Sequence, residues 1–261
     1  MELGSLQQFQ LEARQHAESL STHLTEAAAH VQAGRTDEAL DLYRAGQRDL
    51  QAFHDKWDAD IQRGDPSFAH WWRQHVAEKK AALLMAEGLA LRWIGKLDDA
   101  SAVFERALGL TPAETPEHAL LLHGIGGIRH HQQAFAEAEE FCRRAHAEFA
   151  ALAANVAKTD PNSAGHSWSQ AAQALADSAY AALGRGDHTG FEKSLDEAIS
   201  FAEQHGLLDL ADRLWLRQAG YLLAVDASGE TVQRVDSERE FCGGDIPPLL
   251  QTCLQSKCKP L

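Results

Sequence analysis

Apolar residues recur along most of this chain at intervals of three and four, which is the spacing of one face of an amphipathic helix. The clearest series consists of Ala39, Tyr43, Gly46, Leu50, Phe53, Trp57 and Ile61. This series predicts a long helix that lies along a partner helix. The segment from Leu3 to Gln32 is periodic enough to be that partner.

A third long helix is predicted after Asp65-Pro66, because aspartate is a strong N-cap and proline suits the first helical position. The apolar pattern then continues without a break, which predicts one helix from Ser67 to Ile94. Shorter periodic segments follow as far as Leu223. The pattern therefore predicts three long helices followed by shorter helical hairpins.

Residues 81–112 contain one clear repeat unit, AALLMAEGLALRWIGKLDDASAVFERALGLTP. The positions that define it are Gly88, Ala100, Phe104, Ala107 and Pro112. Small side chains at such points let two antiparallel helices approach closely, and proline ends the unit. The segment resembles a tetratricopeptide repeat, although Leu84, Glu87 and Leu91 replace the Trp, Leu and Tyr of the usual pattern.

Weaker copies of this frame occur on both sides of the clear unit. They are marked by Gly126, Ala138, Cys142 and Ala145, by Ala27, Gly34, Ala39 and Tyr43, and by Ala179, Gly186, Phe191, Leu195 and Ala198. The resemblance covers roughly Leu20 to Leu223. It implies an all-α fold in which antiparallel helical hairpins stack as a right-handed α-solenoid.

We predict three regions along the chain. Residues 1–65 form a long N-terminal hairpin, residues 66–224 form the tetratricopeptide-like repeats, and residues 225–261 form a tail with one short helix, Leu249 to Ser256. The tail either covers the last apolar face of the solenoid, as such folds require, or binds a partner.

Composition narrows the choice of partners. The formal charge is −14, from 24 Lys and Arg against 38 Asp and Glu, which disfavours nucleic acid and anionic lipid as partners.

The N-terminus lacks a signal-peptide pattern and the longest uncharged stretch, Ala119 to Ile128, is too short to span a bilayer, so we expect a cytoplasmic protein. The spacing of Cys242, Cys253 and Cys258 matches no common zinc motif, and we predict neither metal nor cofactor.

The sequence contains no phosphate-binding loop motif, no serine-hydrolase motif and no zinc-protease motif. A non-enzyme is therefore favoured, and no catalytic residue is predicted. The unusual feature is fourteen histidines. His16, His23 and His30 recur every seven residues, about 10.5 Å apart along a helix, which is too far for one metal ion. They indicate a half-buried polar stripe instead.

The resemblance also implies a binding surface, because in tetratricopeptide proteins the first helix of each hairpin lines the concave face on which extended peptides dock. The matching positions are Met85, Leu89, Arg92, Trp93, His123, Gly127, His130, His131 and Tyr180. We predict that they bind a peptide or a partner's tail, with Arg92 and the histidines contacting an acidic group. The alternative is a small-molecule-binding protein or enzyme with a closed pocket at Gly127 and His130.

Two local features leave both interpretations open at this point. Gly124 and Gly127 cost helix stability, which is offset either by close helix packing or by room for a ligand. Trp71 and Trp72 point about 100° apart on a helix, so they are either both buried in the core or partly exposed as an anchor. The long N-terminal helices are also a possible homodimer interface.

Overall fold

The computed structural model describes the backbone of residues 3–160 and 163–228, with side chains for 6–160 and 163–222. This part of the chain contains helices and no strand. The helices are α1 Leu3–Gln32, α2 Thr36–Gln62, α3 Pro66–Trp93, α4 Leu97–Leu108, α5 Pro116–His131, α6 Phe135–Ala157, α7 Gly165–Gly184, α8 His188–Gln204 and α9 Leu208–Ser228. The predicted all-α fold is confirmed.

The three N-terminal helices are long, as predicted, with 30, 27 and 28 residues. The Asp65 carboxylate accepts a hydrogen bond from the Ser67 N–H at 2.7 Å, which caps α3 at its predicted start. The Phe9 ring meets the edges of Trp57 and Trp72 at centroid distances of 5.4 and 5.6 Å. An aromatic core therefore joins α1, α2 and α3.

The predicted series on α2 packs into two clusters: Leu50, Trp57 and Ile61 belong to this aromatic core, whereas Ala39 and Tyr43 belong to the cluster around Phe104. Its buried members are Ala39, Tyr43, Gly46, Leu50, Trp57 and Ile61, while Phe53 is partly buried. Glu87, which replaces an apolar residue of the repeat pattern, is among the buried polar residues of the described chain. Its carboxylate accepts hydrogen bonds from Arg44 at 2.8 Å and Gln47 at 2.7 Å, so it ties α3 to α2.

Successive helices pack against each other along the described chain, and α5 also contacts α7. The connections between successive helices are short, and short connections join antiparallel neighbours. Four of the turns contain a glycine with φ between 70° and 78°, and they are Gly34, Gly95, Gly186 and Gly206. In the α3–α4 turn, the Gly95 N–H donates to the Arg92 carbonyl and the Lys96 N–H to the Leu91 carbonyl, both at 3.0 Å.

The same pair of hydrogen bonds recurs at the other glycine turns. It closes each helix with a residue in the left-handed conformation, where glycine is favoured. In the α5–α6 turn, Gln133 takes this place with a φ of 62° and the same bonds. The repeat is therefore present in the backbone as well as in the sequence.

The small residues of the repeat lie where the helices cross. A Cβ atom on Gly88 would lie 2.5 Å from the Phe104 ring, and one on Gly126 would lie 2.6 Å from the Cys142 sulfur. The alanines of the same frame are fully buried, namely Ala27, Ala39, Ala100, Ala107, Ala138, Ala145, Ala179 and Ala198. The antiparallel, closely packed hairpins predicted from this frame are confirmed.

The last helix extends to Ser228. The predicted short helix Leu249–Ser256 and the cysteines Cys242, Cys253 and Cys258 lie outside the described residues. The division of the chain at residues 65 and 224 stays a prediction.

The crossing at Gly88 predicts a large effect of one added methyl group. Gly88→Ala forces the buried Phe104 ring to move, and we expect this overpacking to outweigh the helix preference of alanine and lower the free energy of unfolding by about 1–2 kcal/mol. Urea unfolding followed by circular dichroism measures the change. Gly165→Ala is the control, because no atom lies within 4 Å of its added Cβ; equal effects at both sites would contradict the predicted crossing.

The α5–α6 turn predicts a stabilising substitution. Gln133 holds a left-handed conformation that costs a non-glycine residue about 1 kcal/mol, so Gln133→Gly should raise the free energy of unfolding by about 0.5–1 kcal/mol. The reverse change in a glycine turn, Gly186→Gln, should lower it by a similar amount. Thermal and urea unfolding of both variants test the pair; a loss of stability in Gln133→Gly would contradict it.

Candidate binding groove

The C-terminal half of α3 carries the four predicted site residues that come first in the sequence. Leu89 and Trp93 lie one helical turn apart on one face and are 52% and 76% exposed. Met85, one turn earlier, is half-buried and packs against the core. We call Leu89 and Trp93 the apolar stripe of α3, because two large apolar side chains on one face rarely stand open without a partner.

Arg92 lies beside this stripe and contacts the next hairpin. A Cβ atom on Gly127 would lie 3.3 Å from a terminal nitrogen of the Arg92 guanidinium, so the cation rests against bare backbone of α5. The side chain is half-buried. Within the described part of the chain, Arg92 forms no ion pair. The structure thus brings two predicted site residues together and leaves the guanidinium without a carboxylate.

The middle of α5 is tied to α7 by an acidic residue that the sequence analysis missed. The His123 Nε2 atom lies 2.7 Å from the Asp177 carboxylate, whose other oxygen accepts a hydrogen bond from Gln173 at 2.9 Å. Because a carboxylate only accepts, the His123 Nε2 carries the proton in this contact. Both oxygens of Asp177 are therefore already engaged by the protein.

Tyr180 lies one turn beyond Asp177 on α7 and is partly buried. Its ring packs against Phe191, and the Arg217 guanidinium from α9 lies 5.9 Å from the ring centroid. Burial raises the pKa of the Tyr180 hydroxyl, while the positive charge of Arg217 acts in the opposite direction. The Tyr180 hydroxyl therefore stays uncharged at neutral pH. Its ring is held between Phe191 and the Arg217 guanidinium.

His130 and His131 are the last two residues of α5. The His130 ring packs edge-on against Phe135, with centroids 5.3 Å apart. Phe135 in turn fills the space over Gly184, at the end of α7. His131 is exposed. His130 is therefore positioned by packing, whereas His131 faces solvent.

Three further residues belong to this surface. Leu120 is exposed and precedes Gly127 by seven residues, which puts both on one face of α5. The seven-residue spacing of Leu120 and Gly127 could have been read from the sequence. Asp177 and Arg217 are harder to find, because their partners are distant in sequence.

The two sequence ambiguities are resolved differently. A Cβ atom on Gly124 would lie 3.0 Å from the Phe104 ring, so helix packing explains this glycine, whereas Gly127 faces Arg92. Trp72 is buried and its Nε1–H donates to His54 at 3.2 Å, while Trp71 is 50% exposed. The tryptophan pair is therefore not wholly buried, because Trp72 belongs to the core and Trp71 is half exposed.

His16, His23 and His30 are all half-buried between α1 and α2. The His16 ring stacks on Phe53 with centroids 4.6 Å apart, and burial lowers the pKa of His16. His30 lies 2.6 Å from the Glu38 carboxylate. The three histidines thus form the predicted polar stripe along the helix interface.

An open depression lies elsewhere, on α6, α7 and α8. Its lining includes His146, Leu175, Glu192, Asp196, Glu197 and Phe201. None of its lining residues belongs to α3 or α5. This depression is therefore separate from the predicted groove.

Among the described residues, no group of three or more His, Cys, Asp or Glu side chains is arranged to hold a metal ion. Within that same part of the chain, no helix has the length and apolar character needed to cross a membrane.

No protein-family profile matches the sequence, and no curated protein matches it. Among solved structures, the chain is similar to the MamA protein at 15% identity, over 73% of this chain and 95% of that one, with a TM-score of 0.37. A kinesin light chain of Podosopora anserina with nearly identical TPR-like repeats matches at 14% identity over 71% and 95%, with a TM-score of 0.34. A de novo designed helical repeat protein, DHR64, matches at 14% identity over 85% and 97%, with a TM-score of 0.28. These TM-scores are low, so the helical-hairpin fold of this chain rests on its own turns and contacts.

Cys142, which lies beneath the groove against Gly126, should be chemically inert in the folded chain. Its thiol is buried, and burial together with the nearby Asp177 charge raises its pKa. We expect iodoacetamide at pH 8 to alkylate Cys142 roughly 100-fold more slowly in the native chain than in urea. Mass spectrometry of the peptide that contains Cys142 measures the rates, and equal rates in the two conditions would contradict the packing described.

Proposed function

We propose that this protein is an interaction scaffold that binds an extended peptide, or the tail of a partner protein, along the face formed by α3, α5 and α7. The observation that carries the proposal is the apolar stripe of α3, Leu89 and Trp93, beside Arg92, which forms no ion pair with any residue that the structure describes. An apolar contact next to a cation is a combination that anchors one side chain and one acidic group of a ligand.

Affinity would come mainly from Trp93. Tryptophan and arginine are enriched among the residues that dominate interface energetics. Trp93 is 76% exposed, so most of its side chain is open to contact with a ligand. Leu89 extends that contact by one helical turn.

Selectivity would come from charge. The chain as a whole carries a formal charge of −14, yet the groove presents Arg92 on α3 and Arg217 on α9. Asp177 lies on α7, between α3 and α9 in the chain, and its carboxylate accepts hydrogen bonds from His123 and Gln173. The groove therefore favours a ligand with a carboxylate, from an acidic side chain or a C-terminus.

The exposure of Leu89 and Trp93 supports an open surface. A closed small-molecule pocket at Gly127 and His130 would bury the side chains around it, whereas these two stand open to solvent. An extended peptide matches an open face because its own backbone stays solvated while alternate side chains make contact.

The proposal is tested by selecting peptides on the full chain. A random dodecapeptide display library is panned on the immobilised protein, and synthetic copies of the enriched peptides are measured by fluorescence anisotropy. We expect an aromatic or aliphatic residue together with a carboxylate in the enriched set. Trp93→Ala should raise the Kd about 30-fold or more, as for an interface hot spot, and Arg92→Gln about tenfold.

Matched controls separate the groove from the rest of the surface. Trp71→Ala removes another half-exposed tryptophan from a different part of α3, and Arg106→Gln removes an exposed arginine from α4. Both should leave the Kd within about twofold, and all four variants should keep the helical circular dichroism of the parent. Equal losses in the groove and control variants, or no loss in either, would overturn the groove assignment.

A further inference from the structure

The last described helix, α9, has an apolar face that the described residues do not cover. Leu208, Trp215 and Leu222 are 63%, 43% and 46% exposed. They follow one another at seven-residue steps, which puts them on one face of the helix. We call these three residues the terminal stripe.

The contrast with α7 shows what this stripe lacks. One side of α7 packs into the cluster around Phe149 through Ala171 and Ala174, and the other packs into the cluster around Phe191. On α9, the buried residues Leu210, Ala211 and Leu214 all belong to the cluster around Phe191. An interior helix is therefore covered on two sides, whereas α9 is covered on one, although a helical stack requires a cover at its end.

We propose that the chain's own residues 229–261 cover the terminal stripe. The sequence there contains Leu249, Leu250, Cys253 and Leu254 directly after Pro247-Pro248, a favoured helix start, and this spacing predicts one apolar face of a short helix. This apolar face matches the terminal stripe in chemistry. The inference concerns the end of the stack and is independent of the groove.

The connection is long enough. Between Ser228 and Leu249 lie about twenty residues, which reach up to about 65 Å when extended. The whole of α9, at 21 residues, is about 30 Å long. The segment can therefore fold back along α9 in the antiparallel direction that short helical hairpins use.

Charge agrees with that direction. An antiparallel segment would bring Lys257 and Lys259, which follow its apolar residues, toward the start of α9. Asp209 and Asp212 stand there, and Asp212 lies between Leu208 and Trp215 and is exposed. Opposite charges at this end favour the segment over a second copy of α9, which would place its own acidic residues in the interface.

The test is hydrogen exchange of the α9 amides in the full chain. Leu249→Ser with Leu250→Ser removes the apolar face of the segment, and we expect exchange over 208–228 to become about tenfold faster or more. Gln251→Ser with Gln255→Ser changes the polar side of the same segment and should leave exchange within about twofold. Neither pair replaces a residue of the hydrophobic clusters in the described part of the chain.

Each other outcome overturns the proposal in a recognisable way. If the leucine variant exchanges like the parent, and protection of α9 rises with protein concentration together with a dimeric mass in light scattering, a second copy covers the stripe. If α9 exchanges rapidly in the parent at every concentration, the stripe is uncovered in the isolated chain and awaits a partner protein. Removal of residues 229–261 should reproduce the leucine variant; slower or unchanged exchange would also overturn the proposal.

Discussion

The close approach of the two helices in each hairpin is the constraint on which the rest of the structure depends. Helix axes come near each other only where the side chains between them are small. Gly88 meets Phe104 and Gly126 meets Cys142 at distances that exclude even one added methyl group. The turns then fix the direction of the second helix through one left-handed residue and two hydrogen bonds.

The groove follows from these crossings. Leu89, Gly127 and Tyr180 each come directly after the crossing residue of their helix, which is Gly88, Gly126 or Ala179. Successive helical residues point about 100° apart, so the residue after a crossing point leaves the hairpin interface. The same spacing that packs the hairpins therefore puts a leucine, a glycine and a tyrosine at equivalent positions of three hairpins. Arg92 can rest on α5 because the middle one is a glycine.

Much of the fold could be predicted from the sequence, because helix caps, helix lengths and small-residue spacing depend on residues that are close together in the chain. The cap at Asp65, the long α3 and the small-residue frame each depend on spacing within one hairpin. The fate of Trp71 and Trp72 was not accessible, since periodicity gives the direction of a side chain but not which neighbour covers it. Asp177 was missed for a related reason: its partner His123 lies 54 residues away. Arg217 was missed for the same reason, because the Tyr180 ring that it faces lies two helices earlier, on α7.

Arg92 is the residue whose setting the fold itself does not explain. A half-buried guanidinium loses part of its hydration, and in a stable core a carboxylate offsets that loss. The chain has 38 acidic residues against 24 basic ones, so carboxylates that could pair with Arg92 are abundant in the sequence. Glu87, on the same helix, shows the ordinary solution, with Arg44 and Gln47 around a buried carboxylate. Arg92 instead faces a glycine, while Asp177 is held by other donors. Departures of this kind from local consistency are expected where a site serves a ligand, and a ligand carboxylate would supply the missing partner.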